Sequence, residues 1–154
     1  MAELEAINAQ AEVEEQNKTL IRNLFEELDK GNAEIVKEIY SPDVKSYWPS
    51  GSTVPTSQEQ LYDMTKMYLN DYPDLNHTIE ELIANGDKVI IRFIARGTHQ
   101  GGLGGIPATG NKMELSAITI LRFENGKVVE SRQETDTLGM MQQLGMELKP
   151  KEGE

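Results

Sequence analysis

The chain has 154 residues, 26 acidic against 15 basic, a formal net charge of −11 and no cysteine. The length suits one domain with a sizeable core, the charge argues against nucleic acid or an anionic membrane as partner, and the missing cysteine excludes disulfides and thiolate metal sites. No apolar run approaches the roughly 20 residues needed to cross a bilayer, and the acidic start, Met1 to Gln16, lacks the basic and apolar regions of a secretory signal; the expected location is cytoplasmic.

In chain order, Leu20, Ile21, Leu24, Phe25 and Leu28 recur at helical spacing and predict a helix over Asn17 to Lys30, stopped at Gly31. Leu4, Ile7 and Ala11 share a stripe, so residues 1–16 are a helical extension or a loose segment. Asn32 is placed to cap a second short helix with Ile35, Val36, Ile39 and Tyr40 on one face, ended by Pro42. A short strand follows at Val44 to Trp48. Thr56 and Glu59 have capping-box spacing ahead of a helix with Leu61, Met64, Tyr68 and Leu69 inward, closed by Pro73.

Strands are expected at Asn76–Ala84, Lys88–Arg96, Lys112–Glu124 and Lys127–Thr135, with hairpin signals at Asn85-Gly86 and Asn125-Gly126. A helical turn covers Leu138 to Leu144, with Asp136 as its cap, and residues 146–154 read as a loose tail. Helices first and antiparallel strands after make an α+β domain over 17–145, a curved sheet burying one face under the helices with a pocket between.

Alternation then sorts the last two strands. A two-residue loop at Asn125-Gly126 would put Thr119 on one face with Arg132. A three-residue loop with a bulge at Gly126 puts it with Ser131 and Gln133 and keeps charge out of the core. The second register is adopted, so Thr119, Ser131 and Gln133 line the pocket. The outer face then carries Ile118, Ile120 and Val128 among Glu130, Arg132 and Glu134, which suits either a solvated sheet or a homodimer contact through Ile118, Ile120, Val128 and Arg132. Arg92 is expected to pair with Glu80, Glu130 or Glu134.

The order of Ala84-Asn85-Gly86-Asp87-Lys88-Val89, Arg96-Gly97-Thr98-His99, Gly105-Ile106-Pro107-Ala108-Thr109-Gly110, Arg122 to Glu130, Asp136-Thr137-Leu138-Gly139 and Gln142-Gln143-Leu144-Gly145 resembles the SnoaL-like polyketide cyclase family of the nuclear-transport-factor-2-like superfamily. The resemblance implies a cone-shaped, commonly dimeric α+β fold with an apolar cavity. It also implies a cofactor-free, metal-free aldol cyclisation served by an Asp in the cavity and a His on the next strand. In this sequence those positions fall on Gln133 and Thr119, and an amide can donate and accept hydrogen bonds but cannot abstract a proton.

The expected function is therefore binding of a small, largely apolar or polyketide-like molecule, with cyclase, isomerase or hydrolase chemistry on an altered site. The alternative is a non-catalytic ligand-binding or protein-interaction module. Gln133, Thr119 and Ser131 are candidate ligand contacts, joined by Tyr47 and Trp48 as stacking groups and Met64 and Tyr68 as cavity wall. His99 is the remaining group able to titrate near neutrality, at a lid or in an exposed loop; His77 reads as an ordinary strand residue. The tract Gly101-Gly102-Leu103-Gly104-Gly105 lacks the Lys-Ser/Thr of a phosphate loop, and two distant histidines without cysteine make no transition-metal site.

Overall fold

The computed structural model describes residues 1–102 and 105–153. Its elements run α1 (Ala2–Asp29), α2 (Ile35–Ile39), β1 (Tyr40–Tyr47), α3 (Gln58–Asp71), β2 (Asn76–Asn85), β3 (Lys88–Thr98), β4 (Lys112–Glu124), β5 (Lys127–Thr135) and α4 (Thr137–Gln143). The five strands form one open sheet in the order β1-β5-β4-β3-β2. β2 to β5 are antiparallel, whereas β1 lies parallel to β5 at the edge, a pairing that alternation alone does not signal. No described helix is long and apolar enough to cross a membrane.

α1 is continuous through the segment before Asn17 and ends as composition demands. Gly31 has φ +82°, and the amides of Gly31 and Asn32 return to the carbonyls of Leu28 and Glu27 at 2.9 Å each, closing the last turn through a left-handed residue. Asn32 Oδ1 accepts from the Glu34 amide just ahead of α2, and α2 stops at Ile39, so Tyr40 opens β1. The capping box of α3 is Ser57 with Gln60, one residue later than Thr56 with Glu59. The reason is that Thr56 spends its backbone amide and carbonyl on Ser46, extending the sheet edge by one bridge.

The helices cover one sheet face. Val89, Ile91, Phe93, Ala95, Met113, Ala117, Leu121, Phe123 and Val128 from the sheet meet Ile21, Leu24 and Phe25 of α1, Ile35 and Ile39 of α2, and Met140 of α4. On the opposite face Ile83, Ile90, Ile118 and Ile120 remain 38–55% exposed, among ion pairs such as Arg92–Glu81 and Arg96–Glu114.

The β4–β5 strands share their inward faces as expected, with Thr119, Ser131 and Gln133 together, but the register that achieves this is a different one. Asn125 (φ 49°) and Gly126 (φ 75°) form a two-residue turn with Glu124 opposite Lys127, the left-handed pair that tight hairpins require. The extra residue lies in β5: Phe123 pairs with Val128, while Arg122 pairs with Glu130. This bulge reverses the pleat. Thr119 then faces Gln133, and Val128, expected on the outer dimer face, is instead 0% exposed in the core.

His77 ties α1 to the sheet. Its ring lies between Phe25 (4.8 Å) and Phe93 (5.8 Å), and its Nδ1 meets Asp29 Oδ1 at 2.6 Å. Burial pulls its pKa below the ordinary 6.5, outweighing the opposing pull of Asp29. The unfolded chain therefore binds this proton more readily than the folded one. The sign follows: stability is full above pH 6.5 and falls as pH drops below that value. Urea unfolding between about pH 7 and about pH 5, above most carboxylate titrations, should show this slope, and His77→Gln should flatten it. An equal slope in both proteins would refute the assignment.

Candidate functional site

The site is assembled on the inner sheet face where β1, β5 and β4 run side by side. The bulge in β5 turns Ser131, Gln133 and Thr135 toward the helices, opposite Leu121, Thr119 and Ala117. Ser46 of β1 pairs with Ser131, their hydroxyls 2.6 Å apart. Thr119 Oγ1 donates to Gln133 Oε1 at 2.9 Å. Gln133 Nε2 has one weak outlet at 3.4 Å, the hydroxyl of Thr135, which also accepts the Trp48 indole N–H at 2.6 Å.

This strip is neutral, so it sits among apolar neighbours without the cost of an unpaired buried charge. From Thr119 through Gln133 to Thr135 its hydrogen bonds run in one direction. The carbonyl of Gln133 is occupied, while its amide nitrogen, which carries two donors, retains capacity. Gln133 is half-buried and Thr119 is 5% exposed. The arrangement can bind and orient an oxygen atom; as built it holds no base at position 133.

The remaining expected residues divide. Trp48 joins the strip, half its surface exposed. Tyr47 points the other way, because alternation along β1 sets it beside Arg132, whose guanidinium lies 4.1 Å from the ring centroid on the outer face. Arg132 also donates to the Ser50 carbonyl at 2.7 Å. Met64 is 44% exposed: it projects from the outer side of α3 and not into the core. Tyr68 lies on the inward side of that helix. Arg92 pairs with Glu81 at 3.0 Å, since a bulge in β2 between Ile79 and Glu81 brings Glu81 opposite it in place of Glu80. Asp136 Oδ1 accepts the Gly139 amide at 2.9 Å and caps α4.

His99 is neither exposed nor a lid. It continues the inward row of β3 past Ala95 and Gly97 and is 0% exposed, with its backbone bonded to Asn111 and Gly110. Around it stand two residues that alternation and helical spacing did not single out, Asp71 and Tyr72. Among the described residues, Tyr68 Oη, Asp71 Oδ2, Tyr72 Oη and His99 Nε2 are buried polar atoms without a hydrogen-bond partner. The available signal was Tyr68 and Tyr72 four apart, at the helix end before Pro73. The glycine-rich tract at 101–105 lies partly outside the described residues.

Two cavities are described elsewhere. One of about 340 Å³ is lined by Asp74, Arg96, Gly97, Thr98, Met113 and Gln143. The other, of about 760 Å³, lies between α1 and the hairpin tips, against Val13, Asn17, Leu20, Asp87, Phe123 and Gly126. No group of three His, Cys, Asp or Glu among the described residues is arranged to hold a metal ion.

The Thr119–Gln133 bond makes the strip testable. Gln133→Leu strands a buried hydroxyl donor and should cost about 1–3 kcal/mol. Adding Thr119→Val should recover most of that loss, a non-additive cycle; simple additivity in urea unfolding would show the two side chains uncoupled.

A family model for the SnoaL-like polyketide cyclase matches residues 19–144. Aklanonic acid methyl ester cyclase DnrD of Streptomyces peucetius and DauD of Streptomyces sp. (strain C5) are each 38% identical over 61 residues, 40% of this chain. That stretch spans 42% of DnrD and 38% of DauD, well under two thirds of either. Among solved structures, AclR from Streptomyces galilaeus matches with a TM-score of 0.79 and 25% identity, over 86% of this chain and 97% of AclR. IdmH from Streptomyces antibioticus matches at 0.72 with 28% identity, over 85% of this chain and 99% of IdmH. The open sheet under its helices and the family match over residues 19–144 together establish that the chain belongs to the SnoaL-like polyketide cyclase family.

Proposed function

We propose that the protein binds a small, largely apolar, polyketide-like molecule between sheet and helices, and that Gln133 orients one of its oxygens by donating from Nε2. The observation that carries this is the spare donor capacity of an amide held by Thr119 and Thr135 in a neutral strip beside the apolar core. An aldol ring closure needs a base to remove a proton beside one carbonyl, an enolate to attack a second carbonyl, and a proton returned to the new alkoxide. Gln133 can steady an oxygen through such a step but cannot take the first proton. AclR carries a proposed hydroxylase assignment and IdmH a proposed polyketide cyclase one, so relatives on this fold do not fix a single reaction.

Aklanonic acid methyl ester, the compound in the names of both curated relatives, is the probe. The wild-type protein should bind it saturably and close its ring no faster than buffer. Gln133→Asp, which restores a carboxylate, should raise ring closure by roughly 10²-fold. A wild-type protein that turns the ester over as fast as the Asp variant would sink this reading of position 133.

A second reading concerns the outer sheet face, which we propose seats a second copy of the chain. One row of directly paired residues crosses all five strands: Ile83, Ile90, Ile120, Arg132 and Tyr47. Ile118 lies beside it, and charges of both signs interrupt the aliphatics, which makes the surface complementary to itself across a two-fold axis. Ile120→Glu should convert the protein from dimer to monomer in sizing chromatography with its helical content unchanged. A monomeric wild-type protein at every concentration would refute the dimer.

A further inference from the structure

The four unpartnered atoms around α3 call for an account of their own. Tyr68, Tyr72 and His99 stand in series, with ring centroids 5.3 Å and 5.5 Å apart. Tyr72 and His99 are 0% exposed and Asp71 is 5% exposed. A buried polar group without a partner is costly, and native proteins keep few of them. Here four lie on one helix end and the strand terminus packed against it.

Their chemistry is asymmetric. The Thr109 amide donates to His99 Nδ1 at 3.2 Å, and Thr109 Oγ1 lies 3.0 Å from the same nitrogen while accepting from the Asn111 amide. A nitrogen that receives a backbone N–H carries no proton of its own, so this network assigns the neutral ring's proton to Nε2. Burial raises the pKa of both Tyr68 and Tyr72, with the nearby Asp71 adding to the rise at Tyr72. Both phenols therefore keep their protons. The row thus offers three donors, and Asp71 Oδ2 beside it offers one acceptor.

The surrounding backbone is shaped to this group. A Cβ at Gly101 would lie 2.0 Å from Asp71 Oδ1, so only glycine lets the chain after β3 close over this carboxylate; the Gln100 amide bonds the Asp71 carbonyl at 2.8 Å. A Cβ at Gly97 would come 3.1 Å from the Cβ of Tyr72, and Gly97 also lines the 340 Å³ cavity.

We propose that Tyr68, Tyr72 and His99 form a donor row that holds a carbonyl oxygen of the bound molecule, with Asp71 accepting a hydroxyl of the same molecule. The ligand class is a hydroxylated ketone, aromatic or polyketide in skeleton. The proposal rests on the reading that the protein binds an oxygen-bearing apolar molecule, but not on Gln133. The row acts by binding and polarising an oxygen, with Asp71 as the proton acceptor beside it.

The test uses 6-acetyl-2-naphthol, which has a carbonyl and a hydroxyl at opposite ends of a fluorescent apolar frame, and 2-methoxynaphthalene, which lacks the carbonyl and any donor. Tyr72→Phe and Tyr68→Phe each remove only an oxygen that bonds to nothing in the described protein, so both should fold, as circular dichroism will check. Wild type should bind both probes. Each Phe variant should weaken 6-acetyl-2-naphthol at least about tenfold, the loss of roughly one good hydrogen bond, and leave 2-methoxynaphthalene unchanged. The infrared carbonyl band of the bound acetyl probe should sit lower in wild type than in Tyr72→Phe. Equal affinity of the acetyl probe for wild type and both variants, with 2-methoxynaphthalene still bound, would overturn the donor row and spare the binding reading. Failure of either probe to bind wild type at all would overturn both.

Discussion

One extra residue in β5, at Val128–Val129, determines which side chains of the last strand meet the helices. Side chains in a strand alternate with a period of two, so a one-residue offset exchanges the two faces. Before the bulge, Val128 points inward against Phe123. After it, Ser131, Gln133 and Thr135 point inward, and Glu130, Arg132 and Glu134 point out. Without the bulge, the pairing that starts at Glu124 and Lys127 would carry Arg132 and Glu134 under the helices. Burying those charges unpaired would cost more than a chain of marginal stability tolerates. The bulge keeps the core apolar and places an amide in it at the same stroke.

The inner face consequently carries hydroxyls and an amide, with no ion pair in the strip. Ser46 and Ser131 satisfy each other, Thr119 satisfies the carbonyl of Gln133, and Thr135 takes the indole of Trp48. A carboxylate at position 133 would accept from Thr119 equally well but would bring a charge that needs desolvation or a proton. The amide avoids that cost and gives up the proton-accepting role with it. Position 133 illustrates how an amide in place of a carboxylate separates a fold's architecture from its chemistry, since the strand pairing around it is indifferent to which group it carries.

Much of this was legible in the amino-acid order because the strongest signals are local and periodic. Asn125-Gly126 marks a tight turn, the alternation of β4 separates Met113, Ala117, Thr119, Leu121 and Phe123 from their outward neighbours, and Gly31 ends α1. The exclusion of charge from the core was enough to put Thr119, Ser131 and Gln133 on one face. It was not enough to say where the extra residue goes, because a bulge at Gly126 and one at Val128–Val129 give the same downstream faces. Val128 was misplaced for that reason alone. The parallel docking of β1 is a long-range pairing with no local code, and it in turn moved the α3 cap from Thr56 to Ser57 by using Thr56 as sheet edge. His99 looked like a loop residue because it lies between glycines; its burial depends on α3 packing across it, which no periodicity within residues 97–110 reveals.

The buried atoms around Tyr72 bear on the chemistry in a way position 133 does not. Proton abstraction and stabilisation of the developing charge on oxygen are separate contributions to carbonyl chemistry, and the second is commonly the larger. An amide at position 133 withholds the first without touching the second. Two phenols kept protonated by burial and an imidazole whose proton is directed to Nε2 by Thr109 supply donors suited to an oxygen that gains charge. Asp71, within the influence of Tyr72 and covered by Gly101, is a carboxylate placed beside them. A protein built this way would hold and polarise a carbonyl compound whether or not it goes on to transform it, and the identity of residue 133 would then govern the fate of the ligand more than its capture.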